Sequence, residues 1–382
     1  MCSTVKNELD LFFQILKNNM LDSSAPTRSA FTQARRKIRH GAFIALNSIL
    51  VKCFYDLKIY KTWNDLRLIG VDGSQFQMPA SEACGIYFGK NRKDGDQRSY
   101  VMSRGISFYD VLNGFILKSE IAPYSASERE LAEKYIPHFE TNDLFILDRG
   151  FMSFTIFRKT IEQNSKFCMR IPLTSIWAKE FVKSGKKENS IKYKANKKHK
   201  KLCEDLGLPI TPIDLRLIRV ELDNGDVEVL ATNLYDSAAY PCEVFKKLYQ
   251  LRWPIEEKYK DVKSKVQVQN WTGMSVETCK QDFYAKILTL NITALIIFQA
   301  QNEVKENAEH KKYDYKTCIS EAVRKMRFRI IGLFTSNNSE KIILYLYDQF
   351  VKLTSVIRPE RSFNRIKSKR RVKHSIRYKG IS

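Results

Sequence analysis

Two aspartates and one four-residue spacing stand out as chemistry in this 382-residue chain. Asp72 follows the apolar run in Leu68-Ile69-Gly70-Val71-Asp72-Gly73-Ser74, and Asp148 ends the run in Phe145-Ile146-Leu147-Asp148-Arg149-Gly150-Phe151. A carboxylate at the tip of a hydrophobic strand, with a nearby glycine to let the backbone turn, is a position from which α/β folds present metal ligands to a crevice. Either aspartate alone also reads as a turn residue or a helix cap. The third element, Tyr249, Arg252, Glu256 and Lys263, is more specific. At about 100° per residue, all four fall within about 60° of one helix face. Such a face presents an acid, two cations and a phenol, which suits a phosphate held beside a metal ion. The plainer alternative is an amphipathic helix with ordinary surface charges. Pro254 removes a helical hydrogen bond, so the stretch predicts a bend at residues 252–254.

These residues need a scaffold that brings strand ends together. From Leu66 the hydrophobic period is two, predicting strands over 66–78, 100–109 and 111–121, with Asn113-Gly114 just inside the third. Asp72 is then expected at the end of the first strand. Ser125-Ala126-Ser127-Glu128 carries a capping-box pattern for a helix running to Ile136. The wholly apolar Leu144-Phe145-Ile146-Leu147 predicts a strand buried on both faces. A helix follows Gly150, then a strand over 167–171. The result is a mixed α/β unit. Residues 172–235 interrupt it with a lysine-rich stretch and a hairpin, 215–222 and 227–232, around Asp223-Asn224-Gly225. Residues 4–58 read as helices, with Leu9, Phe12, Phe13 and Leu16 at helical spacing, and helical pattern resumes at Cys242 and continues through most of the chain to Leu353. The most apolar stretch, 287–298, predicts a buried helix too short to span a membrane.

Charge sets the partner class. Lys and Arg number 65 against 42 Asp and Glu, a net +23 with a pI near 9.6. That excess is hard to explain for an enzyme of small neutral metabolites and fits a polyanionic partner, nucleic acid above all. Residues 183–201 contribute +8 and residues 358–382 contribute +9, so these 44 positions carry 17 of the 23 excess charges. The tail reads as a disordered phosphate grip or as a solubilising segment. Arg28, Arg35, Arg36, Lys37 and Arg39 read as a solvated helix face or as a DNA-facing one. Eight cysteines more than thirty residues apart, no CxxC and five scattered histidines argue against a zinc site and indicate free thiols in a reducing cytoplasm. The N-terminus has no signal-peptide core. The nearest thing to a phosphate loop, residues 85–91, is one residue short and lacks the Ser/Thr for magnesium, so no nucleotide cofactor is indicated.

The spacing Tyr249-x2-Arg252-x3-Glu256-x6-Lys263, with Trp253 after the arginine, resembles the C-terminal signature of the IS4-family DDE transposases. Asp72-Gly73-Ser74 and Asp148-Arg149-Gly150-Phe151 resemble that family's two upstream aspartate motifs, and the 108-residue gap from Asp148 to Glu256 matches its order. The resemblance covers roughly residues 60–300. It implies an α/β fold: an RNase H-like mixed sheet with helices, a β-rich insertion before the catalytic Glu, and an N-terminal helical domain. The implied parts are a DNA-binding helical region 1–60, core halves 61–171 and 236–300 around the insertion 172–235, a helical region 301–357 and a basic tail 358–382.

Carried over residue by residue, Asp72, Asp148 and Glu256 would be catalytic and would hold two Mg²⁺ ions about 4 Å apart, with Mn²⁺ able to substitute. Tyr249, Arg252 and Lys263 would position the DNA phosphate. Trp177, the one tryptophan in the insertion, would stack on a flipped base, and Trp253 would pack beside Arg252. The implied protein is a cytoplasmic prokaryotic transposase that binds terminal inverted repeats, cuts the element ends and joins them to target DNA. It would work as a homodimer or larger synaptic complex, with no membrane partner. Two alternatives share the fold: a DNA-binding relative without catalysis, and an RNase H-like nuclease or resolvase.

Overall fold

The structure, a computed structural model, describes residues 5–16, 25–92, 99–223, 225–252 and 269–357. Helices α1 (Val5–Leu16), α2 (Arg28–Arg35) and α3 (His40–Asp56) come first. Then follow β1 (Arg67–Gln77), α4 (Glu82–Phe88), β2 (Lys90–Arg92), β3 (Ser99–Asp110), β4 (Ile116–Pro123), α5 (Glu128–Tyr135), β5 (Asp143–Leu147), α6 (Phe154–Glu162) and β6 (Lys166–Ile171). The chain continues through α7 (Ile176–Lys183), β7 (Glu188–Tyr193), α8 (Lys197–Asp205), β8 (Ile213–Glu221), β9 (Val227–Thr232) and α9 (Val244–Gln250). It closes with α10 (Val276–Glu306), β10 (Asp314–Thr317), α11 (Ile319–Thr335), α12 (Ser339–Lys352) and β11 (Thr354–Ile357). Two units result, one of residues 1–58, 76–103 and 260–382, the other of 59–75 and 104–259.

A nine-stranded sheet runs β2-β3-β1-β5-β6-β9-β8-β7, with β4 paired to β3. β1, β5 and β6 are parallel, and β9, β8 and β7 continue the sheet antiparallel. The order β4-β3-β1-β5-β6 with three parallel strands is that of an RNase H-like core, the mixed α/β architecture expected. β5 is buried along its whole length. Leu144 and Ile146 share a core with Phe245, Leu248 and Tyr249 of α9. Phe145 points the other way, edge-on to Phe108 and Phe139. A strand covered on both faces has no room for polar alternation, which is why its sequence is uniformly apolar. The hairpin expected within 172–235 is β8–β9, and β9 pairs with β6, so this segment lengthens the main sheet.

Local chemistry moved several boundaries. β4 begins at Ile116, not 111, because the Asp110 carboxylate accepts the N–H groups of Leu112 and Asn113 and closes a turn. Gly114 occupies the left-handed region of that turn at φ +84°. The capping box on α5 is Ser127 with Glu130, two residues beyond the expected pair. Glu128 is engaged elsewhere, in an ion pair with Arg104 at 3.0 Å.

In the other unit, the expected short apolar helix is part of the 31-residue α10, which by length and composition is long enough to cross a membrane. Half of its most apolar window is buried inside the protein, and its polar residues are partnered there, as in a core helix. Asn291 donates to Asn47 of α3 at 2.7 Å, and Glu277 pairs with His40 at 2.8 Å. Arg35 is half-buried against the first turns of α10, donating to Asp282 and to the Thr278 carbonyl, each at 2.8 Å. One member of the basic segment is therefore structural, while Arg28, Arg36, Lys37 and Arg39 are exposed. Between and after the helices of this mainly helical stretch, β10 and β11 pair as a two-stranded antiparallel sheet. Of the seven described cysteines, all are free thiols. Cys84 and Cys279, 195 positions apart, approach to 3.9 Å between sulfurs.

Breaking a buried ion pair strands the remaining charge and typically costs about 3–5 kcal/mol. Arg35→Ala is accordingly expected to lower the free energy of unfolding by about 3 kcal/mol in urea titrations. A loss below about 1 kcal/mol would show that Arg35 does not anchor α10 in solution.

Candidate metal and phosphate site

Strand register assembles the site. Val71 of β1 pairs with Leu147 of β5, and Leu147 pairs with Met169 of β6. The next residue on each parallel strand is Asp72, Asp148 and Arg170, a row whose neighbours are spaced by about 4.8 Å, the distance between strands. Parity then sets the face. Leu68, Leu144 and Cys168 point into the core shared with α9, and Asp72, Asp148 and Arg170 stand an even number of residues further along. Glu228 lies on the same face, two residues before Leu230 of β9.

Asp72 lies within β1, not at its tip; what ends beside it is the pairing with β5 at Val71. Gly73 is not a turn residue either. It lies within the strand, with the end of the Glu128 side chain in the space beside it. Asp148 does stand just past its strand, still extended at φ −82° and ψ 163°.

Arg170 spans two carboxylates. Its Nε donates to Asp148 Oδ1 at 3.0 Å and its Nη2 lies 2.7 Å from the same oxygen, while Nη1 donates to Glu228 at 2.6 Å. The Tyr249 hydroxyl, from α9, approaches Asp148 Oδ1 at 3.4 Å, long for a direct bond. Arg252 follows the end of α9, buried, with its guanidinium 5.7 Å from the Tyr249 ring centre. The structure thus groups Asp72, Asp148, Tyr249 and Arg252 around one end of β5. Trp177 is half-buried on α7, its ring 6.0 Å from that of Tyr193. Trp253, Pro254, Glu256 and Lys263 lie outside the described residues, and so does most of the expected bend.

Sequence reasoning misses Arg170 and Glu228. The available signal is a cation in the otherwise apolar Phe167-Cys168-Met169-Arg170-Ile171, in the same strand phase as Asp148. Neither residue can be placed beside Asp148 without the pairing of β5, β6 and β9.

Electrostatics explain why the arginine is there. Burial works to raise the Asp148 carboxyl, but the Arg149 backbone N–H and the charges of Arg170 and Arg252 outweigh it, holding the group below the ordinary carboxylate range. Burial pushes the Tyr249 phenol up, so it remains an O–H donor. Among the described residues no three His, Cys, Asp or Glu side chains form a metal-holding group. The two aspartates of the row supply hard oxygen donors of the kind Mg²⁺ and Mn²⁺ take.

A carboxylate whose pKa is depressed by folding contributes stability above its unfolded value, near 3.9, and loses it as pH falls through the folded value. Arg170→Gln is therefore expected to be less stable than wild type by about 1–2 kcal/mol at pH 7, in urea unfolding. The difference should shrink as pH drops below about 4. A gap that stayed constant from pH 7 to pH 3 would count against the ion pair as its source.

Comparisons with known proteins place the chain in a family. The profile of the transposase DDE domain matches residues 63–292, which include the row and α9. The transposase InsG for insertion sequence element IS4, from Escherichia coli strain K12, is 24% identical over 351 residues, covering 90% of this chain and 76% of that protein. A piggyBac transposase, solved by cryo-EM as a synaptic complex with hairpin DNA, superposes with a TM-score of 0.40 at 10% identity. That alignment covers 79% of this chain and about 60% of the piggyBac chain. With more than half of its length matched by the DDE domain, and with an IS4 transposase aligned along most of it, the chain belongs to the DDE transposase family, as its signature implied.

Proposed function

We propose that this transposase carries out metal-dependent phosphodiester hydrolysis and strand transfer at the ends of an insertion sequence, with Asp72, Asp148 and Glu256 as its metal-binding carboxylates. The observation that carries the reading is the in-register placement of Asp72 and Asp148 on one face of adjacent parallel strands. Divalent ions held there would lower the pKa of the attacking hydroxyl and stabilise the leaving oxygen. The chain's own part is to hold and orient. Two carboxylates fixed on strands give a rigid donor set, and the protonated Tyr249 hydroxyl and the Arg252 cation stand beside it as partners for a phosphate oxygen. Lys263 completes the phosphate contacts, and Trp177 stacks on an unpaired base. Two copies of the chain would bring two terminal inverted repeats together before joining them to target DNA.

The insertion supplies grip. All nine lysines of residues 183–201 are exposed, on and around β7 and α8. Such a surface binds DNA through counterion release, largely without reading sequence.

Asp148→Asn and Glu256→Gln should each lower Mg²⁺- or Mn²⁺-dependent cleavage of the cognate ends by on the order of 10³-fold, with end binding kept within about threefold. Unimpaired cleavage by Glu256→Gln rules out this site. A wild-type chain that binds the ends and never cuts them favours the inactive DNA-binding relative. Changing Lys197, Lys198, Lys200 and Lys201 together to Gln should flatten the salt dependence of binding, by about 0.9 in log K per log salt for each phosphate no longer neutralised. An unchanged slope would move the grip elsewhere.

A further inference from the structure

Arg170 has a geometry that the family signature does not explain. It occupies the third place in the row, next to Asp148, and its guanidinium is divided between two acids on opposite neighbours: Asp148 beyond β5 and Glu228 on β9. The pairing is two-sided by construction. Nε and Nη2 face Asp148 while Nη1 faces Glu228. A planar fork of fixed donors can keep one carboxylate while releasing the other, which a lysine ammonium does less well.

We propose that Arg170 is a resident counter-ion for Asp148 that is exchanged for a divalent cation, with Glu228 retaining the guanidinium when Asp148 turns to the metal. The inference rests on the reading of Asp148 as a metal ligand. In the ion-free chain the cation pairs with the Asp148 carboxylate and holds it in place. When a divalent ion enters, Asp148 Oδ1 exchanges a +1 partner for a +2 partner. Arg170 stays paired with Glu228 and is not left buried and uncompensated, so no proton needs to move. Arg170 is then a positioning residue that sets how readily the site loads, and Glu228 acts through it.

The test is Mn²⁺ binding to the full-length chain without DNA, followed by electron paramagnetic resonance. Arg170→Gln removes the competing cation and should tighten Mn²⁺ binding by about tenfold. Glu228→Gln removes the resting place, leaves the guanidinium on Asp148 and should weaken binding by about threefold or more. In the double variant the Glu228 effect should vanish, giving the affinity of Arg170→Gln alone. Arg170→Lys, which keeps the charge without the fork and so releases Asp148 less readily, should bind Mn²⁺ more weakly than wild type. It carries the comparison should Arg170→Gln fail to fold by circular dichroism.

Equal or weaker Mn²⁺ binding by a folded Arg170→Gln overturns the exchange, as does a Glu228→Gln penalty that persists in the double variant, which would make Glu228 a direct partner of the ion. If Arg170→Gln does not fold, binding by Arg170→Lys as tight as or tighter than wild type overturns it. Asp148→Asn separates this from the underlying reading: if that variant binds Mn²⁺ like wild type, Asp148 is not a ligand at all. If it loses binding while the Arg170 variants stay at the wild-type value, only the exchange falls.

Discussion

The parallel pairing of β1, β5 and β6 is the constraint on which the rest of this structure depends. Each strand is held in register by backbone hydrogen bonds, and one residue beyond the last pair on each stands a charged side chain. A slip of one residue would turn the whole row to the opposite face, because side chains alternate. The apolar residues before the row prevent the slip. Leu68, Leu144 and Cys168 must face the core shared with α9, and that requirement also fixes where Asp72, Asp148 and Arg170 point. Hydrophobic packing thus sets the geometry of a polar site that contributes little to packing itself.

The same economy appears in how charge is distributed. The chain's large positive excess is concentrated in the lysine-rich stretch and the tail, and the lysines of the stretch are exposed. The described site is close to balanced, with Asp72, Asp148 and Glu228 facing Arg170 and Arg252. Arg170 and Arg252 hold the Asp148 carboxyl below its ordinary range. The positive excess and the described carboxylates thus lie on different residues. Arg35 shows why a basic residue cannot be assigned to either role by type alone. It sits in a segment that reads as a charged surface, yet its side chain anchors the start of α10.

Much of the fold was legible because its signals are local. The all-apolar β5 announced a strand covered on both faces, and the β8–β9 hairpin announced itself through its turn. The boundaries that moved did so through side-chain competition that periodicity does not register. Asp110 captured two backbone N–H groups and delayed β4, and Glu128 was drawn to Arg104, which left the helix cap to Ser127 and Glu130. The glycine beside Asp72 reads as a hinge in the sequence. In the structure it lies within β1, with the end of the Glu128 side chain, 55 positions along the chain, in the space beside it.

The amino-acid sequence by itself determined the family, the identity of the acids, and the phase of each strand, since these depend on residue type and on spacing along one segment. It also determined that the net charge belongs mainly to two runs outside the apolar strands. Only the tertiary structure decided that Asp72 and Asp148 stand side by side, that Arg170 joins their row, and that Glu228 holds the arginine's other end. Those facts depend on which strands pair and in what register, a long-range choice made by burial across the whole sheet. No single segment encodes it. The arginine between the two acids is its clearest product.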